Sequence, residues 1–271
     1  MSGWQIVLSE STSARMPADP YTSAIAHDAG WRWKIPLQHR VGNGYVYCGR
    51  YMSDDEARSK PVAAVPGKAV KDPWHIKIRT GRRRKAWNKN VVALGLAAGF
   101  VEPLESTSIH MIMMGTTRLL QEFPFNGIKP SLMAQFNDES RREIEHIRDF
   151  IVLHYNTTER DDTPFWRYCR NMELPDSLQH RIELFKEAAH CYQADGELFR
   201  VDSWVHVMLG QRMKPQHYHP IAVTMSDEEL KKVMSTIQGQ IGQAVSKLPT
   251  QHDFIERYCK ANPDVWQAFS R

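Results

Sequence analysis

The periodicity of the apolar residues changes partway along this chain, and that change constrains its fold more than any other feature. Before about residue 95 the pattern is of short alternating runs broken by turn residues, which is the pattern of strands. After about residue 104 apolar residues recur every three or four positions over long stretches, which is the pattern of helices. In the first part, Ser23 to Ala29 and Gly30 to Pro36 are expected strands. Trp31, Trp33 and Ile35 alternate within the second, so all three face one side. Gln38 to Val41 and Tyr45 to Cys48 flank Gly42-Asn43-Gly44, a spacing that predicts a hairpin because Asn-Gly accepts positive φ. Ser53, with Glu56 three residues on, predicts a capped helix start. His75 to Arg79 alternates as a strand, and Asn90 to Leu94 is expected to be a buried one.

In the second part, Ile109, Ile112, Met113, Leu119 and Leu120 predict a buried helix over Ile109 to Phe123. Ile144, Ile147, Ile151 and Val152 form one stripe of a longer helix over Ser131 to Tyr155. Thr163-Pro164 opens a short helix; Asp176 to Ala188 and Ser203 to Leu209 are further ones. Ser226 to Glu229 caps a last helix that ends near Leu248-Pro249. Strands followed by at least five helices make an α+β chain, divided at 1–104 and 105–271. Met1 to Pro20 reads as a polar lead-in, and the strands look like part of a larger sheet.

Composition narrows the function classes. Hydrophobic residues are 42% and charged residues 24% of 271 positions, as in globular proteins. The net charge of +4 is mild. The one dense basic run, Arg79, Arg82, Arg83, Arg84 and Lys85, has no interleaved aromatics and reads as a solvated face rather than a nucleic-acid surface. Cys48, Cys169, Cys191 and Cys259 are too scattered for a disulfide framework or a zinc site, so no metal is expected and a reduced, cytoplasmic chain is. No apolar run nears the roughly 20 residues a membrane span needs, and the N-terminus lacks a signal-peptide layout.

Candidate chemistry gathers in one segment. Glu102 and Glu105 flank Pro103, after the small-residue turn Gly95 to Gly99 and before an apolar helix. Free N–H groups at that helix start offer an anion site at Ser106, Thr107 or Ser108. From spacing alone, Glu105 as a helix cap is the stronger reading. There is no G-x-G-x-x-G and no H-E-x-x-H, and His39, His110, His154 and His206 are scattered. Each reads as a packing residue. Trp166, after Phe165, reads as core, and the loop from Glu159 to Asp162 as solvated.

Two longer motifs change that weighing. Trp31-Arg32-Trp33-Lys34-Ile35-Pro36 resembles the W-x-W-x-I-P signature of the flavin-dependent tryptophan halogenase family. Phe100-Val101-Glu102-Pro103-Leu104-Glu105-Ser106-Thr107 is similar to the segment carrying that family's active-site glutamate. The two stand in the family's order. Gly30 to Asp55, Lys85 to His110 and Arg148 to Trp166 also resemble it, so the likeness extends from about Pro20 to near the end.

The resemblance implies that 1–104 is the remainder of an FAD-binding sheet module like that of aromatic hydroxylases, and 105–271 a helical, substrate-side domain. It implies reduced FAD supplied by a separate flavin reductase, and chloride or bromide oxidised to hypohalous acid by a flavin hydroperoxide. That acid then halogenates an indole or other aryl ring with the help of a lysine and a glutamate. Glu105 corresponds to the glutamate. Thr107 and Ser108 correspond to the halide-binding positions, although Ser108 stands where the family often has Gly. Ser106, Gly95 and Ala98 correspond to positions beside the flavin. Trp31, Trp33, Ile35 and Pro36 are the signature residues, of which Trp31 and Trp33 keep substrate from the flavin. The family's glycine-rich dinucleotide motif and catalytic lysine have no counterpart here, which implies a truncated form with little or no activity alone. Leu198 to Trp204 is shorter and less aromatic than the tryptophan-binding stretch of the family. A flavin-dependent aromatic monooxygenase and a non-enzymatic helical remnant are the alternatives.

Overall fold

A computed structural model describes residues 4–12, 19–64, 68–69 and 72–262. Helix and strand are both present, and the described residues form two compact units that interleave in sequence. One is built on Ile6–Tyr47, Met52–Ile76 and the segment from His219; the other is built mainly on Lys77–Tyr218. No helix among the described residues is long and apolar enough to cross a membrane.

The first unit carries a five-stranded sheet of β1 (Trp4–Thr12), β2 (Ser23–His27), β3 (Gly30–Pro36), β4 (Arg40–Cys48) and β5 (Trp74–Lys77), in the order β2-β3-β4-β1-β5. The tight hairpin lies between β2 and β3, where His27 pairs with Gly30 across Asp28-Ala29. The expected hairpin at Gly42-Asn43-Gly44 is absent: β4 runs straight through all three, pairing Gly42 with Ile35, Asn43 with Lys34 and Gly44 with Trp33. The glycine at 44 serves close approach rather than a turn. A Cβ there would stand 1.9 Å from Cζ2 of Trp33, whose ring lies over the strand. Asn43 is buried, accepts from Nη1 of Arg32 at 3.2 Å and donates to the Val41 carbonyl, so it is held inside the sheet. Gly44→Ala should therefore destabilise the fold by about 1–3 kcal/mol, the usual cost of overpacking. The measurement is the urea midpoint; no change would mean that the Trp33 ring swings aside freely.

The N-terminal stretch also departs from expectation. Trp4–Thr12 is no lead-in but a strand between β4 and β5, with Ile6 and Val7 buried. Its partners are remote in sequence, so local polarity misleads. Trp31 and Trp33 do share a face, with ring centroids 5.7 Å apart. The helix α1 (Asp54–Ala64) starts as the spacing predicts: Glu56 accepts from the backbone N–H and the hydroxyl of Ser53, and the Glu56 N–H donates to that hydroxyl. These bonds hold the Glu56 carboxyl below the usual range.

The second unit is helical: α2 (Ser108–Gln121), α3 (Pro130–Asn156), α4 (Pro164–Asn171), α5 (Asp176–Ala188) and α6 (Val201–Gly210). Phe150 and Leu153 of α3 meet Leu178, Ile182 and Phe185 of α5 and Trp204 and Met208 of α6 in one core cluster. Ile147 and Ile151 are buried as the stripe predicts, and Phe165 and Trp166 are core. Burial pushes the Cys169 thiol up to about 12, which leaves it a packing residue and no nucleophile near neutral pH. The Asn90–Leu94 run contributes only a two-residue strand, Val91–Val92, paired with Trp87–Asn88, and Val91 is exposed.

Burial of α2 is the clearest correction here. Ile109 and Met113 are 71% and 62% exposed, Ile112 and Leu120 are exposed too, and only Met111 and Gly115 are buried. A polar contact ties α2 to α3. Arg118 donates to Glu139, Ser140 and Glu143 of α3 at 2.9, 3.0 and 3.0 Å. The long helix α7 (Asp227–Val245) belongs with the sheet-bearing unit and opens on the capping box expected of Ser226 and Glu229.

Candidate functional site

The backbone between the small-residue turn and α2 takes an unusual path, and the sequence explains it. Pro103–Glu105 forms one tight helical turn with Pro at its start. Ser106 then adopts a left-handed conformation, φ 53° and ψ 34°, and donates its N–H to the Pro103 carbonyl. Few non-glycine residues sit there, and such outliers cluster at functional sites. The kink ends the short turn at Glu105 and lets α2 start afresh at Ser108. Thr107, buried, is the residue before α2, yet its side chain does not cap the helix. The first N–H groups of α2 are thus left without a side-chain acceptor from that residue, and no acidic residue occupies the first turn. Such an end accommodates an anion.

Glu105 is not the cap that its spacing suggested. Its carboxylate turns to α3, where Oε1 lies 3.1 Å from Nε2 of His154. The Nδ1 of His154 bonds the Phe150 carbonyl at 2.8 Å, one helical turn back. Its ring meets the Phe150 ring edge-on at 4.9 Å. Phe150 stacks on Phe199 at 3.8 Å and meets Trp204 edge-on at 4.9 Å. A partly exposed carboxylate, an imidazole and an aromatic cluster therefore follow one another, fed by three separate stretches of sequence. Glu102, by contrast, is buried.

The small-residue turn is drawn to α2 by packing. Gly95 has φ 54°, and a Cβ on it would lie 2.3 Å from Cγ1 of Ile112. The Ala98 N–H closes the turn on the Gly95 carbonyl at 2.9 Å. Beside it, Leu96, Ile109, Ile112 and Met113 leave apolar surface open. Glu105, Ser106, Thr107, Ser108, Gly95 and Ala98 thus all belong to one unit. Trp31, Trp33, Ile35 and Pro36 lie on β3 in the other. The basic run is exposed, with Arg82 paired to Glu145 at 2.8 Å.

Sequence reasoning missed His154, which it read as a packing residue. Helical spacing relates it to Phe150 but carries no sign of Glu105. Phe199 and Trp204 were read only as a poor version of an aromatic stretch, yet the fold delivers both to Phe150.

Comparison with known proteins bears on this segment. The profile of the tryptophan halogenase family matches residues 6–227. Tryptophan 7-halogenase RebH of Lentzea aerocolonigenes is 31% identical over 266 residues, which is 88% of this chain and 48% of RebH. The structure of Xcc4156, a flavin-dependent halogenase from Xanthomonas campestris, superposes with a TM-score of 0.94 at 43% identity, covering 97% of this chain and 53% of that one. BrvH, a flavin-dependent halogenase from Brevundimonas sp. BAL3, gives 0.90 at 36%, covering 93% and 52%. This chain spans about half the length of the relatives it matches.

Proposed function

Because the chain belongs to the tryptophan halogenase family, we propose that it serves FAD-dependent halogenation of an electron-rich aromatic ring, with Glu105 as the catalytic carboxylate. The observation that carries this reading is the placement of Glu105: partly exposed, held by His154, and directly before an uncapped helix start. The division at 104/105 is, on this reading, one of role rather than of compactness. Residues 1–104 complete a flavin-side sheet module, and 105–271 form the helical substrate side.

The residues present fit flavin and halide in two respects. The start of α2 suits chloride or bromide at the backbone N–H groups of Thr107 and Ser108, since no side chain or first-turn acid competes there. The open apolar surface of Leu96, Ile109 and Ile112 beside Gly95, Ala98 and Ser106 suits a flat ring. Reduced FAD from a separate reductase would, with oxygen and halide, supply hypohalous acid. Glu105 then orients that acid by hydrogen bonding and accepts the proton that the substituted ring loses. Ser106 links the halide side to the carboxylate, because its left-handed kink separates Glu105 from α2 by a single turn of chain. Trp31 and Trp33 pack on one face of the sheet. Indole compounds are the substrate class, after the tryptophan halogenases among the relatives.

The test is product mass. With FAD, a reductase, bromide and indole, the expected product carries bromine and disappears when halide is omitted, in contrast to the little or no activity that a truncated form would show. A hydroxylated product formed regardless of halide, or no halogenated product, overturns the reading.

A further inference from the structure

We propose that His154 is the positioning residue of Glu105, an inference that rests on the reading of Glu105 given above. Three facts carry it. The Phe150 carbonyl can only accept, so the contact of 2.8 Å with Nδ1 requires hydrogen on that nitrogen. The other nitrogen faces Oε1 of Glu105 at 3.1 Å, and a carboxylate oxygen against a bare ring nitrogen would be two acceptors face to face. The contact is a close polar approach at ion-pair distance, and it sets Oε1 against the one ring nitrogen that Phe150 leaves open. The ring itself has little freedom: it is pinned at Nδ1 and rests edge-on against Phe150, which is buried and stacked on Phe199.

The consequence is that one carboxylate oxygen is occupied and the other is aimed. Glu105 ends a short turn and precedes a left-handed residue, so its own backbone does little to orient a side chain with three rotatable bonds. A contact from a rigid helix supplies what the turn lacks. With Oε1 engaged, Oε2 is the oxygen left for reagent and substrate. The aromatic cluster behind His154 then acts on the reaction only through the imidazole, which explains why Phe150, Phe199 and Trp204 are packed as core and yet lie within two rings of the carboxylate.

The experiment has a spectroscopic arm and a kinetic arm, both on the full chain. In the first, ring nitrogen shifts of histidine and carboxyl carbon shifts of glutamate are read by NMR. Glu105→Gln should move the Nε2 signal of His154 while Nδ1 keeps its donor signature, and His154→Gln should move the Glu105 carboxyl signal. Absence of either change overturns the inference without recourse to activity. In the second, His154→Ala should lower kcat by about tenfold to 10²-fold, the scale of misplacing a reacting group by about 1 Å, with KM little changed. His154→Gln should recover part of the loss, because its amide N–H can reach the same oxygen; circular dichroism checks that both variants fold. Normal kcat in His154→Ala together with collapse in Glu105→Gln overturns the role of His154 and leaves the proposed reaction standing. Normal turnover in Glu105→Gln is the distinct failure of the reading itself, and takes the role of His154 with it.

Discussion

Glu105→Ala should lower halogenation turnover by roughly 10²-fold or more, the contribution of a positioned acid–base group. The loss should fall on kcat, since a carboxylate that takes up the ring proton acts in the transition state more than in binding. Stability should change modestly, by about 1 kcal/mol, because the Glu105 and His154 side chains are 29% and 20% exposed and solvent still screens their contact. Product formation is measured by mass spectrometry in parallel with a urea melt. Near-normal turnover would remove Glu105 from the mechanism. Reduced turnover with a midpoint lowered well beyond that would show that the change acts through the fold instead.

The largest expected effect on stability lies elsewhere. Arg181 of α5 and Glu197 form an ion pair at 3.1 Å, with side chains 6% and 1% exposed. The guanidinium also donates to the Tyr192 carbonyl and lies between the rings of Tyr192 and Trp204, at 4.4 and 4.0 Å. The Glu197 carboxylate accepts from the Ala194 N–H at 2.8 Å, so it organises the loop that leads into α6. Arg181→Ala leaves that carboxylate buried without its cation and should cost about 3–5 kcal/mol. The double variant Arg181→Met with Glu197→Leu should recover most of the loss, because an apolar pair of similar volume avoids the burial of charge. Urea unfolding of the single and double variants checks both statements. A single-variant loss below about 1 kcal/mol would mean that water reaches the pair. Since Trp204 lies against Phe150, the same variant should also disturb the aromatic cluster behind His154.

Much of the helical part was legible in the sequence. The stripe of Ile147 and Ile151, the Asp176–Ala188 boundaries and the Ser226 capping box all rest on contacts within a few residues, and those contacts are the ones found. The failures share a cause as well. Gly42-Asn43-Gly44 has the composition of a turn, yet Gly44 is needed where the Trp33 ring crosses from the next strand. Trp4–Thr12 looks unstructured until strands distant in sequence flank it. The apolar residues of α2 do have helical spacing, but spacing says which residues share a face and not whether anything covers it.

The sequence by itself determined the family and the change from strands to helices, and it nominated the segment from Gly95 to Ser108 for the proposed chemistry. These depend on local order and on motifs a few residues long. Only the tertiary structure decided that Glu105 is engaged by His154 rather than serving as a cap, that α2 shows its apolar face, and that Phe199 and Trp204 stand behind the imidazole. Each of those outcomes depends on side chains far apart along the chain, where close packing of whole helices and not local propensity selects the neighbour.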